Sequence, residues 1–217
     1  SNLQSILKET SIKNVLITSV GEFLGLKGIM INFVLRKIRK MVPKYSLPNA
    51  VNFKDAINIG SKHKFQEQKI DKEDIAFLQY TGGTTGGVKA AILSHRNVLA
   101  NAIQVREWLG ENLKFGEDLA ICALPLYHIF ALTCNSVVYF YFGANNILIT
   151  NPRDIPGFVK ILKKYKFTFI SGVNTLFNKL LEDKNFQDCD FSKLNITIAG
   201  GMPVQKSVGD RWQKTTG

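Results

Sequence analysis

The chain has 217 residues, 45% of them hydrophobic, and a net charge of +11 from 28 lysines and arginines against 17 acidic residues. That is enough apolar material for a substantial core, in one large or two small domains. Three cysteines without a C-x-x-C pair, three unclustered histidines and no apolar run near the ~20 residues of a spanning helix argue against a disulfide scaffold, a zinc site and a membrane helix.

The first stretch is irregular. Residues 14–18 read as a short strand. Ile31, Val34, Leu35 and Ile38 recur at helical spacing and predict a helix over residues 27–40, ended by Pro43 and Pro48. No acidic residue occurs between Phe23 and Lys54, while Lys27, Arg36, Lys37, Arg39, Lys40, Lys44 and Lys54 fall there. Phe23, Phe33, Tyr45 and Phe53 lack the spacing of a base-stacking platform, so no nucleic acid partner is expected. The basic, apolar stretch suits peripheral contact with an anionic membrane, or equally a solvated helix. Residues 60–72 read as a charged linker.

The pattern then changes. A strand is expected over residues 74–81, a glycine- and threonine-rich loop over 82–89, and a short strand over 90–93. A helix follows over 97–109, with Val98, Ala102, Val105 and Leu109 on one face and Gly110 as its stop. Trp108 is expected to be buried on that helix. Strands near 118–123, 146–149, 167–170 and 196–199 alternate with helices near 130–142, 156–165, 175–182 and 203–214. The apolar run 129–142 is expected to be a helix buried on all sides. Pro156 and Pro203 suit first helical turns, where a missing N–H costs nothing.

Such alternation predicts an α/β fold, a parallel sheet flanked by helices on both faces. Residues 1–72 then form an incomplete N-terminal portion with the basic helix and linker. Residues 73–217 form a nucleotide-binding α/β unit. Ligands in these sheets bind beyond the carboxyl ends of the strands, which singles out the loops at 82–89, 125–128, 171–174 and 200–202. The chain ends look internal, since Leu3 is an unusual start and Lys214-Thr215-Thr216-Gly217 reads as a helix end, so a fragment of a longer protein is expected.

The strongest motif is Tyr80-Thr81-Gly82-Gly83-Thr84-Thr85-Gly86-Gly87-Val88-Lys89. Its glycines free the backbone to turn N–H groups onto an anion. Threonine hydroxyls add donors, and Lys89 adds a full charge. A Walker loop has Lys directly after its last Gly and opens a helix. Here Val88 intervenes and a strand follows, so a strand–loop–strand phosphate clamp is expected. The bland alternative is a flexible glycine-rich hairpin with a solvated lysine.

This stretch resembles the phosphate-loop signature of the adenylate-forming superfamily, Tyr-Thr-Ser-Gly-Thr-Thr-Gly-x-Pro-Lys-Gly, found in acyl-CoA synthetases, luciferases and peptide-synthetase adenylation domains. It departs at Gly82, Val88 and Ala90. Gly82 and the following Ser94-His95-Arg96-Asn97 fit the long-chain fatty-acid–CoA ligase branch. Leu124-Pro125-Leu126-Tyr127-His128 is similar to that family's Pro-x-x-His segment. Ser171-Gly172-Val173-Asn174 resembles its acyl-pocket segment, and Ala199-Gly200-Gly201-Met202-Pro203 its adenine-side segment.

The resemblance implies part of the large N-terminal domain of an acyl-CoA synthetase-like fold. The parent enzyme would join a long-chain fatty acid to ATP as acyl-adenylate, with magnesium on the phosphates, and then pass the acyl group to coenzyme A. It implies that Thr81, Gly82, Gly83, Thr84, Thr85, Gly86 and Lys89 hold the phosphates, with Gly200, Gly201 and Met202 beside the base. Val173 and Asn174 would face the acyl chain, and His128 would position the carboxylate. The family's Tyr-Gly-x-Thr-Glu segment, ribose-binding Asp and catalytic Lys are not found in these residues, so the piece alone is expected to be inactive. The location implied is cytoplasmic, peripheral on the inner face of the cell membrane, and a homodimer is admitted. The alternatives are ligation of a medium-chain or aryl acid, or a non-catalytic nucleotide- or membrane-binding module.

Overall fold

A computed structural model describes residues 2–81 and 88–217. The chain forms two compact units, one ending at Lys69 and the other running from Ile70 to Gly217.

The first unit contains α1 (Asn2–Ile6), β1 (Leu16–Ile17), α2 (Gly25–Phe33), β2 (Val51–Asn52) and α3 (Phe53–Gly60). Strands β1 and β2 pair in parallel. Helix α2 continues into a π-wound segment, Val34–Ile38, so the helix expected from periodicity is present and begins earlier. Two glycines seat it. A Cβ built on Gly28 would collide with the carbonyl oxygen of Gly21. Asn32 fastens the same approach, accepting from the Gly21 N–H at 3.0 Å and donating to Ser19 Oγ at 2.9 Å. Helix α3 was not legible in the sequence. None of its residues is buried, and the Lys54 N–H in its first turn is satisfied by Glu22 at 3.0 Å, 32 residues away, where no local pattern reveals it.

The second unit opens with an antiparallel hairpin of β3 (Ile75–Thr81) and β4 (Lys89–Ser94), in which Thr81 lies opposite Lys89. Helix α4 (His95–Leu109) follows directly. Ser94 and Asn97 form a reciprocal cap, each side-chain oxygen accepting from the other's backbone N–H, at 3.3 and 2.9 Å. Ala102 and Leu109 on α4 are buried, with Val98 and Val105 half-buried beside them. Trp108 departs from expectation: it is 78% exposed. Successive helical residues are ~100° apart, so the narrow buried stripe that takes Val105 and Leu109 leaves Trp108 on its flank.

The centre of this unit is a four-stranded parallel sheet of β5 (Leu119–Cys122), β6 (Asn145–Leu148), β7 (Phe169–Gly172) and β8 (Ile196–Ala199), in the order β6-β5-β7-β8. Alternate residues feed two cores. Ile121 and Ile170 face α7 (Ile155–Leu162), α8 (Asn174–Glu182) and α9 (Lys206–Thr216) through Phe158, Phe177 and Trp212. Ala120 and Phe169 face the other way, against Ala102 and Leu109 of α4 and against Val138 and Tyr139. The expected sheet with helices on both faces is therefore present. Each large side chain removed from water here contributes about 1.5–3 kcal/mol.

Val138 and Tyr139 belong to one continuous helical run: α5 (Ile129–Ala131), a π-wound segment (Leu132–Val138) and α6 (Tyr139–Tyr141). This run is not buried all round as expected. Ala131, Asn135, Val138 and Tyr139 lie inside, while Phe140 is 85% exposed. The sheet covers one side only. Pro156 does sit in the first turn of α7, behind the cap Asp154. Pro203 does not open α9, which starts at Lys206. The N–H of Gln205 is taken by the side chain of Asn174 at 3.0 Å, which holds residues 203–205 outside the helix.

The chain leaves β5 for one face of the sheet and leaves β7 for the other. The strand order reverses between them. Such a switch point opens a crevice at the carboxyl edge, where α/β sheets bind ligands.

Candidate functional site

Three loops meet at that edge. The loop after β5 carries His128 and leads to Phe130 in α5, the loop after β7 carries Val173 and leads to Asn174 at the start of α8, and the loop after β8 carries Gly200, Gly201 and Met202. The Gly200 N–H donates to the Gly172 carbonyl at 3.1 Å, extending the β7–β8 ladder into the loops. A Cβ on Gly200 would lie 2.9 Å from the Phe130 ring, so glycine lets the β8 loop rest on the β5 loop. Gly201 has φ +77°, the left-handed region glycine tolerates, and its Cβ position is 3.7 Å from Val173 Cγ1. Asn174 is buried, and its Oδ1 is committed to Gln205, tying the β7 loop to the β8 loop. Met202 is 47% exposed beside them.

His128 precedes α5 as its cap, and its Nδ1 accepts from the Phe130 N–H at 3.2 Å. An accepting ring nitrogen carries no proton. Nε2 is left as the ring's donor, and no acceptor among the described residues uses it. Beside these loops lies a cleft of about 480 Å³. Leu124 and Pro125, Arg153, Val173 and Leu176 line it, with Lys179 at the α8 side. Arg153 makes no ion pair among the described residues, whereas Lys179 pairs with Glu182 at 2.8 Å.

Beneath the loops runs a buried polar network that the sequence did not reveal. Ser171 donates to Asn135, Asn135 Nδ2 reaches the Ile121 carbonyl at 3.5 Å, and Asn146 donates to the Asn135 carbonyl at 2.7 Å. An asparagine inside a largely apolar helical run was the available signal. Tyr139 is buried nearby with no partner for its hydroxyl among the described residues; burial, and secondly Asp118, push its pKa up. Burial also raises the thiol pKa of Cys122, Cys134 and Cys189.

Thr81 and Lys89 sit at the mouth of the β3–β4 hairpin, where Thr81 Oγ1 donates to the Lys89 carbonyl at 3.4 Å. Gly82, Gly83, Thr84, Thr85 and Gly86 lie outside the described residues. No hydrogen bond or ion pair among the described residues joins Thr81 or Lys89 to the three loops. No cluster of three or more His, Cys, Asp or Glu side chains suited to a metal occurs among the described residues. Nor is any described helix long and apolar enough to cross a membrane.

A parallel sheet with its loops gathered at a carboxyl-edge switch point, preceded by the β3–β4 hairpin, defines an open α/β architecture. The family described as AMP-binding enzyme matches residues 2–217, and the chain belongs to it. The long-chain-fatty-acid–CoA ligase of Salmonella typhimurium is 51% identical over 216 residues, spanning 99% of this chain and 38% of that protein. Among solved structures, the anthranilate CoA ligase AuaEII in complex with anthranoyl-AMP aligns with a TM-score of 0.71 at 21% identity, over 98% of this chain and 40% of that one. The N-terminal domain of FACL13 from Mycobacterium tuberculosis aligns with a TM-score of 0.69 at 17% identity, over 98% of this chain and 50% of that one. At these identities the two structures establish the fold. The chain spans less than two fifths of the length of the Salmonella relative.

Proposed function

We propose that the whole protein is an AMP-forming fatty-acid–CoA ligase acting on long-chain substrates. The observation that carries this is the meeting of the β5, β7 and β8 loops through Phe130–Gly200 and Asn174–Gln205 at the carboxyl edge. The 51% identity to the long-chain-fatty-acid–CoA ligase of Salmonella typhimurium supports the substrate class.

In this reading the fatty-acid carboxylate attacks the α-phosphorus of ATP, pyrophosphate leaves, and the CoA thiol then displaces AMP from the acyl carbon. Thr81, Lys89 and the loop between them hold the β- and γ-phosphates. Gly200, Gly201 and Met202 lie beside the adenine. His128 offers Nε2–H to a carboxylate oxygen, the donor its cap geometry leaves available. Val173 faces the acyl chain, and Asn174 acts by holding the loop next to it. These groups orient the attack and place charge where the phosphate develops it. Magnesium is expected with the ATP phosphates, since it is commonly bound through substrate oxygens rather than a protein cage. Residues 73–217 form the nucleotide-binding part, and the protein works in the cytoplasm with peripheral contact to anionic membrane.

The test is ATP–pyrophosphate exchange by the full-length protein. Exchange is expected with a long-chain fatty acid and to be weaker with medium-chain and aryl acids, and Lys89→Ala is expected to abolish most of it. Exchange driven by an aryl acid alone would overturn the substrate class. Wild-type exchange in Lys89→Ala would remove its phosphate role.

A further inference from the structure

The amino edge of the four-stranded sheet holds a cleft of its own, of about 460 Å³. Its floor is made by the residues that enter three strands: Asp118 before β5, Thr168 before β7 and Asn195 before β8. Two hydrogen bonds set this floor. The Leu119 N–H donates to Thr168 Oγ1 at 3.0 Å. Asn195 Nδ2 donates to the Asn112 carbonyl at 2.9 Å, joining the turn after α4 to the entry of β8. Strands of four residues span about 13 Å, so the cleft lies apart from the loops at the carboxyl edge.

Asp118 gives the cleft its polarity. It is 4% exposed, and a buried carboxylate is costly unless its oxygens are paired. Oδ2 accepts from the Lys114 N–H at 2.7 Å. Oδ1 has no hydrogen-bond partner among the described residues, and the nearby Tyr139 hydroxyl, also without a partner there, does not reach it. A buried acceptor in a cleft wall calls for a donor from the cleft. Cations share the space. Lys114 and Lys193 line it and neither is ion-paired among the described residues. Glu117 is unpaired in the same sense, whereas Lys166 is neutralised by Asp190 at 3.0 Å. The free charges are therefore two ammonium groups and two carboxylates.

That balance selects the ligand. A phosphate dianion would add two negative charges to a neutral set. A divalent cation would find no cluster of three acidic or His and Cys side chains among the described residues. A nucleotide base would find no aromatic ring in the lining. A zwitterion keeps both signs paired. We propose that the amino-edge cleft binds a free α-amino acid, its ammonium donating to Asp118 Oδ1 and Glu117, its carboxylate accepting from Lys114 and Lys193. Bonds between charged partners of this kind are the strong ones, and two opposite ends fix the orientation of a small ligand. This binding function goes beyond the ligase reading and does not depend on it.

Equilibrium dialysis of the full-length protein against each of the twenty standard L-amino acids, radiolabelled, tests the proposal. At least one is expected to bind at millimolar concentration or below. Its N-acetyl derivative, without the ammonium, and its amide, without the carboxylate, should each bind about tenfold more weakly or worse. Asp118→Asn keeps an acceptor for the Lys114 N–H but removes the charge, and should weaken binding about ten- to 100-fold. Lys114→Gln/Lys193→Gln changes two exposed side chains and should weaken it to a similar degree at the wild-type Tm. If Asp118→Asn fails to fold, the lysine variant and the two derivatives decide. Saturating ATP and fatty acid should leave the binding unchanged. Retention of none of the twenty overturns the proposal, as does an N-acetyl derivative that binds as well as its parent. So does a folded variant that binds like wild type. Displacement by ATP and fatty acid would place the amino acid at the carboxyl edge and also overturn it.

Discussion

Ser171 on β7 donates a hydrogen bond to Asn135 Oδ1 at 2.6 Å, and both residues are fully buried. The bond joins the strand that ends at Gly172 to the helical run that begins behind His128. It therefore fixes the spacing between the two loops on either side of the switch point.

Ser171→Ala leaves a buried acceptor on Asn135 without its donor. The expected loss is about 1–3 kcal/mol of unfolding free energy, read from the urea midpoint. Replacing both polar groups, as Ser171→Ala/Asn135→Leu, removes the stranded acceptor and should cost less than the sum of the single changes. Additive losses would mean that the two side chains are not coupled.

The Gly21–Gly28 approach gives a sharper contrast. A Cβ on Gly28 collides with the Gly21 carbonyl, and backbone cannot swing aside as a flexible side chain does. Gly28→Ala should destabilise the first unit by about 3 kcal/mol, the upper end for overpacking. Gly60 ends α3 with nothing within 4 Å of its Cβ position. Gly60→Ala should change stability by less than about 1 kcal/mol. Limited proteolysis within residues 2–69 distinguishes them: rapid cleavage in the first variant only.

Gly200 and Phe130 set the floor on which the β8 loop rests. An added methyl at 2.9 Å from the ring must push either the ring or the loop by a few tenths of an ångström. In the proposed ligase, Gly200→Ala should raise the KM for ATP about tenfold, since small displacements at a positioned site are amplified in rate. Phe130→Leu in the same chain should recover much of the loss. If Gly200→Ala keeps the wild-type KM, the β8 loop does not border the nucleotide.

The sheet was legible because its strands are short apolar runs between glycine- or asparagine-marked turns, and because Val98, Ala102, Val105 and Leu109 keep strict helical period. The Ser94–Asn97 cap that starts α4 two residues ahead of the expected helix was not read from the sequence. Interactions between distant residues were not legible. The Glu22 carboxylate at Lys54, the Asn174 side chain at Gln205 and the Ser171–Asn135 bond each join residues 31 or more positions apart. Trp108 shows the limit of periodicity: apolar size suggested burial, but its angle on α4 placed it in solvent. Near the site, the sequence named His128, Val173 and Gly200, but not Arg153, whose place in the cleft follows from how β6 ends beside β5.

The cysteines give a pH signature. Burial pushes the Cys189 thiol up to about 11 from an ordinary value of 9.0. Between those values the unfolded thiol releases its proton while the folded one keeps it, so the native state binds more protons and stability falls as pH rises. Below about pH 9 both states are protonated and the effect vanishes. Cys122, Cys134 and Tyr139 are raised by burial in the same direction. Urea unfolding should therefore show falling stability from pH 9 towards pH 11, with a shallower slope in Cys189→Ala. At pH 8 iodoacetamide should label all three thiols slowly in the native chain and quickly once it is unfolded, because the thiolate is the reacting form. A slope unchanged by Cys189→Ala, or native labelling as fast as unfolded, would place these thiols in contact with solvent.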